Sequence, residues 1–301
     1  MKRRGFLQLA AASVAMSSVP TFAREPIGRS GPPRFQLGLA AYSLRRYFSF
    51  SRGKSQKPAA DGPALDMFGF LDYCIAQKLD AAELTSYFFQ PDPPDRYFLD
   101  LKQYAFLHGI TISGTAIGNN FTVGAGPKLE NEIAEAIRWI DRASLLGAPH
   151  IRFFAGTGNQ LAQDPRRLDE ACDAIHRCAE RAAEKGIFLG IENHGNLTSD
   201  QMLQIMDRVK SPWVGINLDT GNFLSEDPYA DLEKCAPYAV NVQVKVNMKH
   251  PDGKHYPADM NRIAQILKAA NYQGFVILEY EDEAPYEKIP EAIDVLRKAL
   301  A

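Results

Sequence analysis

Two stretches of this sequence determine its architecture: Phe188-Leu-Gly-Ile-Glu-Asn-His194 and Val214-Gly-Ile-Asn-Leu-Asp-Thr-Gly-Asn222. Each begins as a short apolar run, typical of a buried β-strand, and ends in acidic and amide residues. The segment between them has helical apolar spacing and starts at the capping sequence Thr198-Ser-Asp200. This order predicts two parallel strands joined by a right-handed crossover, with both polar ends at one edge of the sheet.

The same alternation of strand and helix occurs eight times along the chain. The predicted strands are Phe35–Leu44, Asp80–Thr85, Thr111–Ile117, His150–Ala155, Phe188–Asn193, Val214–Asp219, Val240–Val246 and Phe275–Tyr280. Eight such units predict a (β/α)8 TIM barrel over residues 35–301. An open doubly wound sheet is the alternative, but no G-x-G-x-x-G sequence follows the first strand. Residues 45–63 form either a loop over the site or a disordered insertion.

The first 23 residues predict a signal peptide. Positive charges at Met1-Lys-Arg-Arg are followed by an apolar run and by small residues that end at Ala23. The pair Arg3-Arg4 resembles a twin-arginine signal, with an ordinary secretory signal or an uncleaved anchor as alternatives. Residues 24–34 then form a Pro/Gly-rich linker. The expected location is the periplasm or outside the cell, with no stable membrane span after processing.

Composition favours a globular protein with a small-molecule partner. Of 301 residues, 46% are hydrophobic and 23% charged, as expected for a chain with a sizeable core. The net charge of −2 gives no attraction for a polyanion, so nucleic acid is not favoured as a partner. The four cysteines show no C-x-x-C pairing and are expected to be buried free thiols. A homo-oligomer is left open.

Carboxylates at the ends of the later strands indicate where the chemistry lies, since the active site of a barrel is at the C-terminal ends of its strands. Glu192, Asp219 and Glu279 fall at similar heights on strands five, six and eight. A buried carboxylate needs a metal, a partner or a chemical role. Three of them predict a divalent-cation site. The alternative is that each pairs with Arg152 or Lys245.

The seventh strand should supply a fourth ligand. Its alternation places Gln243, Lys245 and Asn247 on one face, inward if Gln243 is a ligand. Three carboxylates and an amide suit Mg²⁺ or Mn²⁺ better than Zn²⁺, with Co²⁺ and Zn²⁺ also open. Four further residues at strand ends are candidate substrate contacts: Glu83, Arg152, His194 and Asn222.

These motifs resemble the sugar phosphate isomerase/epimerase branch of the xylose isomerase-like barrel superfamily. The resemblance rests on Glu83-Leu, Ile191-Glu-Asn-His-Gly, Leu218-Asp-Thr-Gly-Asn, the strand-seven segment and Leu278-Glu-Tyr. It implies that the glutamates at positions 192 and 279 bind a metal and exchange protons with the substrate, and that position 219 is a metal ligand.

The chain departs from the family pattern on strand seven. Gln243 stands where the family usually has histidine, and Val246 stands where an aspartate of a His-x-Lys-Asp-like segment would be, while Lys245 is retained. Asn222 occupies a position that is often histidine in ketose epimerases. These departures affect which metal the site would bind and how tightly, and whether the sugar epimerase activity of the family applies to this chain.

The expected function is an isomerase or epimerase acting on an unphosphorylated sugar or keto-sugar through an enediolate. One of Glu192 and Glu279 takes a proton and the other returns it, while Lys245 or Arg152 stabilises the enolate oxygen. A lyase or hydratase acting on a keto-sugar or keto-glycoside is the close alternative. A phosphodiesterase like the apurinic-site endonucleases is disfavoured by the few histidines. A non-catalytic sugar-binding protein is disfavoured by the inward glutamates.

Overall fold

The computed structural model describes residues 24–301, in which eight parallel strands close into a barrel, the first strand pairing with both the second and the eighth. We label these strands β1 to β8 in chain order. Their bounds are Arg34–Ala40, Ala81–Thr85, Thr111–Ala116, His150–Phe154, Phe188–Glu192, Val214–Asp219, Ala239–Val244 and Gln273–Leu278. The predicted (β/α)8 barrel is confirmed, and the open doubly wound sheet is excluded.

Helices cover the outside of the barrel and connect successive strands. In the described part of the chain they are α1 (Met67–Ala76), α2 (Asp95–Leu107), α3 (Pro127–Leu146), α4 (Gly158–Gln163), α5 (Arg166–Lys185), α6 (Ser199–Val209), α7 (Pro228–Cys235), α8 (Met260–Ala269) and α9 (Pro285–Leu300). One hairpin follows β1 and pairs Phe50–Ser51 with Lys54–Ser55; another follows β7 and pairs Asn247–Lys249 with His255–Pro257. The loops after the strands therefore surround the mouth of the barrel.

The largest difference between predicted and observed strands is at β1. The sequence predicts Phe35–Leu44, whereas β1 ends at Ala40 and Ala41–Leu44 form a 3-10 turn. The ladder to β8 ends here, since Leu39 pairs with the last residue of that strand, whereas β2 continues to Thr85. Ala40 pairs with Glu83 on one side, and β8 ends at Leu278 on the other.

The barrel interior holds a buried histidine, His150 of β4. Glycines face it from the neighbouring strands: a Cβ at Gly190 would lie 2.2 Å from Nε2, and one at Gly114 would lie 2.8 Å from Nδ1. Neither ring nitrogen has a hydrogen-bond partner within residues 24–301. Burial, with a smaller effect of the Arg152 charge, lowers the pKa of His150 to about 3, so the ring is neutral.

This neutral histidine should make the protein lose stability on acidification. Its pKa is about 3 in the folded protein against an ordinary histidine value of 6.5, so only the unfolded chain binds the extra proton between these values. The stability that the neutral ring contributes is complete above pH 6.5 and falls by roughly 1.4 kcal/mol per pH unit below it. Replacing His150 with leucine should flatten this slope in urea unfolding. The exposed control His176→Gln should keep it, and an unchanged slope in the leucine variant would refute the expectation.

Residues 24–33, predicted as part of a linker, lie across the N-terminal end of the barrel. The Arg24 guanidinium donates to the backbone oxygen of Val214, and the Arg29 guanidinium donates to that of Ala239. Arg29 also lies 5.1 Å above the ring of the buried Tyr272. This segment therefore seals the end of the barrel opposite the strand carboxyl ends.

Removal of this segment should lower the stability of the barrel. We expect a chain that begins at Pro33 to unfold with about 2–3 kcal/mol less free energy than one that begins at Arg24, since each lost hydrogen bond is worth about 1 kcal/mol. Calorimetry should show the difference as a lower melting temperature. Equal melting temperatures would mean that the contacts of residues 24–33 contribute nothing net.

Residues 45–63, for which the sequence leaves two interpretations open, form an ordered loop beside the mouth of the barrel. The ring of Phe48 stacks on that of Phe88, with centroids 4.5 Å apart. The backbone N–H of Arg52, in the hairpin turn, donates to the backbone carbonyl oxygen of Tyr87 at 2.7 Å. The loop after β1 is thus attached to the turn after β2.

The four cysteines are buried and free, as predicted, and no disulfide joins residues of the described range 24–301. No helix in that same range is both long and apolar enough to cross a bilayer. The signal peptide predicted at residues 1–23 lies outside the described residues.

Candidate active site

Five carboxylates gather at the C-terminal end of the barrel. Glu83 lies on β2, Glu192 and Asp219 are the last residues of β5 and β6, and Glu279 and Glu281 follow β8. All except Glu281 expose 6% or less of their surface. They interact electrostatically with one another. The structure therefore brings the four predicted carboxylates together and adds Glu281, which the sequence did not indicate.

Both oxygens of Glu192 have protein partners. Oε2 lies 2.9 Å from Nε of Arg152, and Oε1 accepts a hydrogen bond from Nδ2 of Asn222 at 2.9 Å. Burial raises the pKa of Glu192 to about 7, with Glu279 adding to the rise and Arg152 opposing it. Glu192 can therefore gain and lose a proton near neutral pH. Asn222 and Arg152, two of the predicted substrate contacts, hold this side chain in place.

Arg152 belongs to a stack of side chains that leads outward from the site. Its Nη1 donates to the Ile117 oxygen at 3.0 Å, and its guanidinium lies 4.1 Å above the ring of Phe154. The ring of His194 stacks on the ring of Phe154, with centroids 4.1 Å apart. His194 is exposed to solvent. It therefore lies at the mouth rather than among the carboxylates.

Hydrogen bonds to its own backbone and to one carboxylate oxygen hold Asp219 in place. The Asn193 side chain accepts from its N–H at 2.8 Å and donates to its carbonyl oxygen at 2.9 Å, while the Gly221 N–H donates to Oδ1 at 2.8 Å. The second carboxylate oxygen, Oδ2, is buried and has no hydrogen-bond partner in the described part of the chain. Burial raises the pKa of Asp219 well above its ordinary value.

The Lys245 ammonium lies among three of the carboxylates. Its Nζ is 3.6 Å from Oδ2 of Asp219 and 3.8 Å from Oε2 of Glu279, and it donates to Glu281. Burial alone would lower the pKa of Lys245, but these three carboxylates raise it above its usual value. Lys245 therefore stays protonated and is the cation nearest to Asp219 and Glu279. The ion pairs considered in the sequence, with Arg152 and with Lys245, both occur.

The inward face of β7 carries a chain of amide hydrogen bonds. Asn241 donates to Asn217 at 2.7 Å, Asn217 donates to Oε1 of Gln243 at 2.6 Å, and Gln243 donates to Glu83 at 3.3 Å. All four side chains are buried. Burial is the main cause that raises the pKa of Glu83 to about 8. Gln243 points inward as predicted, but both ends of its amide are already engaged.

The donor chemistry of the cluster fits a divalent cation in two respects. Asp219 presents a buried oxygen without a hydrogen bond, and oxygen donors are what Mg²⁺ and Mn²⁺ prefer. The five carboxylates outnumber the four basic groups nearby, Arg45, Arg152, Lys245 and Lys249, by one charge if all are ionised. A divalent cation would offset that excess.

The arrangement itself does not assemble a complete ligand set. Among residues 24–301, no three His, Cys, Asp or Glu side chains are placed to hold a metal ion. Lys245 lies beside Asp219 and Glu279, and Gln243 could ligate a metal only through the second lone pair of an oxygen that already accepts from Asn217. Metal binding by Glu192, Asp219, Gln243 and Glu279 therefore stays a prediction.

Comparison with known proteins agrees with this architecture. The model of a family described as the xylose isomerase-like TIM barrel matches residues 71–299. The D-psicose 3-epimerase of Clostridium cellulolyticum H10, solved with D-tagatose, superposes with a TM-score of 0.67 at 15% identity, over 88% of this chain and 99% of that chain. The probable 3-DHS dehydratase of Bacillus anthracis superposes with a TM-score of 0.66 at 16% identity, over 87% and 98%.

A curated relative is similar over a shorter stretch. The 3-oxo-isoapionate decarboxylase of Pectobacterium atrosepticum is 33% identical over 98 residues, which are 32% of this chain and 35% of that protein. The match thus spans about a third of the relative's length. The three similar proteins carry the names of an epimerase, a dehydratase and a decarboxylase.

Proposed function

The chain belongs to the xylose isomerase-like TIM barrel family, and from that premise we propose that it isomerises or epimerises an unphosphorylated sugar or keto-sugar by proton transfer. The observation that carries this proposal is the placement of two buried glutamates, Glu192 and Glu279, around a group of fixed charges. They are close enough for Glu279 to raise the pKa of Glu192. Two carboxylates in one dry site can take a proton and return it.

The roles of the residues follow from their contacts. Glu192, whose pKa is about 7, can take the proton from a carbon next to a carbonyl at neutral pH. Glu279 is the carboxylate proposed to return the proton, and its only ion-pair contact in the described residues is Lys245 at 3.8 Å. Lys245 and Arg152 are protonated and buried, so either can stabilise the oxygen that gains negative charge.

We propose a divalent cation as the cofactor, with Mg²⁺ or Mn²⁺ favoured. Asp219, Glu279 and Glu192 would hold it, with Gln243 as a further ligand. When bound, such a cation polarises a carbonyl and an adjacent hydroxyl and so acidifies the C–H bond between them. The excess of carboxylates over basic groups and the Asp219 oxygen that has no hydrogen bond in the described residues support this assignment.

An exported location and an unphosphorylated substrate form one consistent proposal. The signal-like sequence of residues 1–23 predicts export to the periplasm, where sugar phosphates are scarce. The carboxylates of the site also outnumber its basic groups, which disfavours a phosphate beside them. Nucleic acid is disfavoured for the same reason.

The test combines metal analysis with isotope exchange. The purified protein is assayed for bound metals and then incubated in deuterium oxide with a panel of ketoses, aldoses and keto-sugars. Deuterium at a carbon next to a carbonyl, together with an epimer or isomer, is the expected result. An absence of exchange into every member of the panel would exclude proton transfer to these sugars.

A lyase or hydratase acting on a keto-sugar or keto-glycoside is the second candidate. Gln243 stands where the family usually has histidine, and it takes part in the amide chain to Glu83. This difference from the family pattern on strand seven favours the second candidate. The relatives named as a dehydratase and a decarboxylase point the same way. Unsaturated or hydrated products without any epimer would select this candidate.

A further inference from the structure

A cavity of about 500 Å³ opens beside the carboxylate cluster and is lined by different residues. It lies between the hairpin after β1, the turns after β2 and β3, and one side of α3 from Asn131 to Arg142. Cavities of this size hold small molecules. Ile117 is part of its wall, and the Ile117 oxygen accepts from Arg152, which contacts Glu192. The cavity and the carboxylates are therefore separated by one arginine side chain.

The hydroxyl of Tyr87 is the polar group in this wall that needs a partner. Tyr87 is 7% exposed, and its oxygen has no hydrogen-bond partner within residues 24–301. A Cβ at Gly118 would lie 2.8 Å from that oxygen and 3.0 Å from Nη1 of Arg52. The glycine therefore keeps a small space free where a hydroxyl donor and a guanidinium meet.

Arg52 is held over this space by two contacts. Its backbone N–H donates to the backbone carbonyl oxygen of Tyr87, and its guanidinium lies 3.9 Å above the Tyr87 ring. Arg52 and Gly53 both have positive φ angles, 50° and 74°, as a two-residue hairpin turn requires. The turn thus brings a cationic donor to the cavity without burying it.

The remaining wall favours an uncharged, hydroxyl-rich ligand. Phe89 and Trp139 supply apolar aromatic surface to this wall, and the Arg142 guanidinium lies 4.9 Å above the Trp139 ring. The three acids of the wall, Asp92, Glu132 and Glu135, are balanced by Arg52, Arg142 and the adjacent Arg138, which pairs with Asp92 and Glu135. A phosphate or carboxylate would find no surplus positive charge in this balanced wall, whereas a neutral sugar would find both donors and acceptors.

We infer that the substrate is a glycoside whose reacting ring lies at Glu192 and whose second, uncharged glycosyl unit occupies this cavity. The inference rests on the proposed function and names its substrate class. Arg52 and the Tyr87 hydroxyl bind the second unit. A monosaccharide leaves the cavity without a ligand and binds less tightly.

The test measures the binding of neutral disaccharides to the Glu192→Gln protein, which prevents turnover. The probes are cellobiose, maltose, trehalose and lactose, compared with glucose and glucose 6-phosphate. Trp139 lines the cavity, while the other tryptophan, Trp213, packs on Phe188 elsewhere, so fluorescence reports on the cavity. At least one disaccharide should bind about tenfold tighter than glucose, and glucose 6-phosphate should bind no tighter than glucose.

Variants separate a binding role from a structural one. Tyr87→Phe should weaken disaccharide binding about fivefold and Arg52→Ala about tenfold, with glucose affected less. Tyr73→Phe is the matched control, because Tyr73 also has a buried hydroxyl without a partner in the described chain but does not line the cavity. It should bind like the parent protein.

Two results would overturn the inference: disaccharides that bind no tighter than glucose, or wild-type affinity in both Tyr87→Phe and Arg52→Ala. Failure of the proposed function is a separate observation. It would appear as an absence of deuterium exchange with the wild-type enzyme, whatever the binding data show.

Discussion

Replacing Glu192 with glutamine should lower the rate of deuterium exchange into the substrate by about 10²–10⁴-fold, the usual contribution of a positioned acid–base group. Glutamine keeps the shape and can still accept from Asn222, but it can neither take a proton nor neutralise Arg152. We expect the variant to fold, with a lower melting temperature because a buried charge loses its partner. The measurement is the exchange rate followed by NMR.

The control for this experiment is Glu130→Gln. Glu130 lies on the surface of α3 and pairs with Arg177 on α5, an exposed ion pair that contributes little to stability. The exchange rate of this variant should equal that of the wild-type protein. If Glu192→Gln stayed within tenfold of the wild-type rate, Glu192 would not be the base.

Replacing Lys245 with methionine should have the largest effect on stability. The variant keeps the length of the side chain but leaves Asp219, Glu279 and Glu281 without their shared cation. Removal of one partner from a buried ion pair costs about 3–5 kcal/mol. We therefore expect a loss of this size in urea unfolding, together with a large loss of exchange activity.

The same variant bears on metal binding, because the ammonium and a metal would use the same oxygens of Asp219 and Glu279. Millimolar Mn²⁺ should raise the melting temperature of Lys245→Met more than that of the wild-type protein. Lys254→Met, in the exposed turn of the hairpin after β7, is the control and should unfold like the wild-type protein with and without Mn²⁺. A melting temperature of Lys245→Met unaffected by Mn²⁺ and Mg²⁺ would argue against a cation in this cluster.

The position of the carboxylates could be predicted because a simple geometric rule applies to them. Parallel strands that alternate with helices all end at one face, so polar residues that terminate apolar runs must meet there. β6 has its predicted bounds, Val214–Asp219, and Gln243 points inward as the alternation of β7 requires. β7 and β8 each end two residues earlier than predicted, because the apolar residues Val246 and Tyr280 already belong to the following loops.

Other parts of the site depend on contacts that no local pattern encodes. Glu281 lies in the loop after β8, and only the observed ion pair with Lys245 assigns it to the cluster. Asn193 follows Glu192 directly, yet its side chain bonds the backbone of β6, which depends on which strand is the neighbour. The sequence also could not show that His194 would stack on Phe154 at the surface instead of facing the carboxylates.

The amide chain beneath the carboxylates has a consequence for kinetics. Where the family pattern places an imidazole on β7, this chain has Gln243, joined to Asn217 and Asn241. Amides neither gain nor lose protons in the accessible pH range, so this layer adds no inflection to a profile of rate against pH. The curve measured for this enzyme should therefore have a simpler acidic limb than that of a relative with histidine there, and its midpoint should move when Glu192 is replaced.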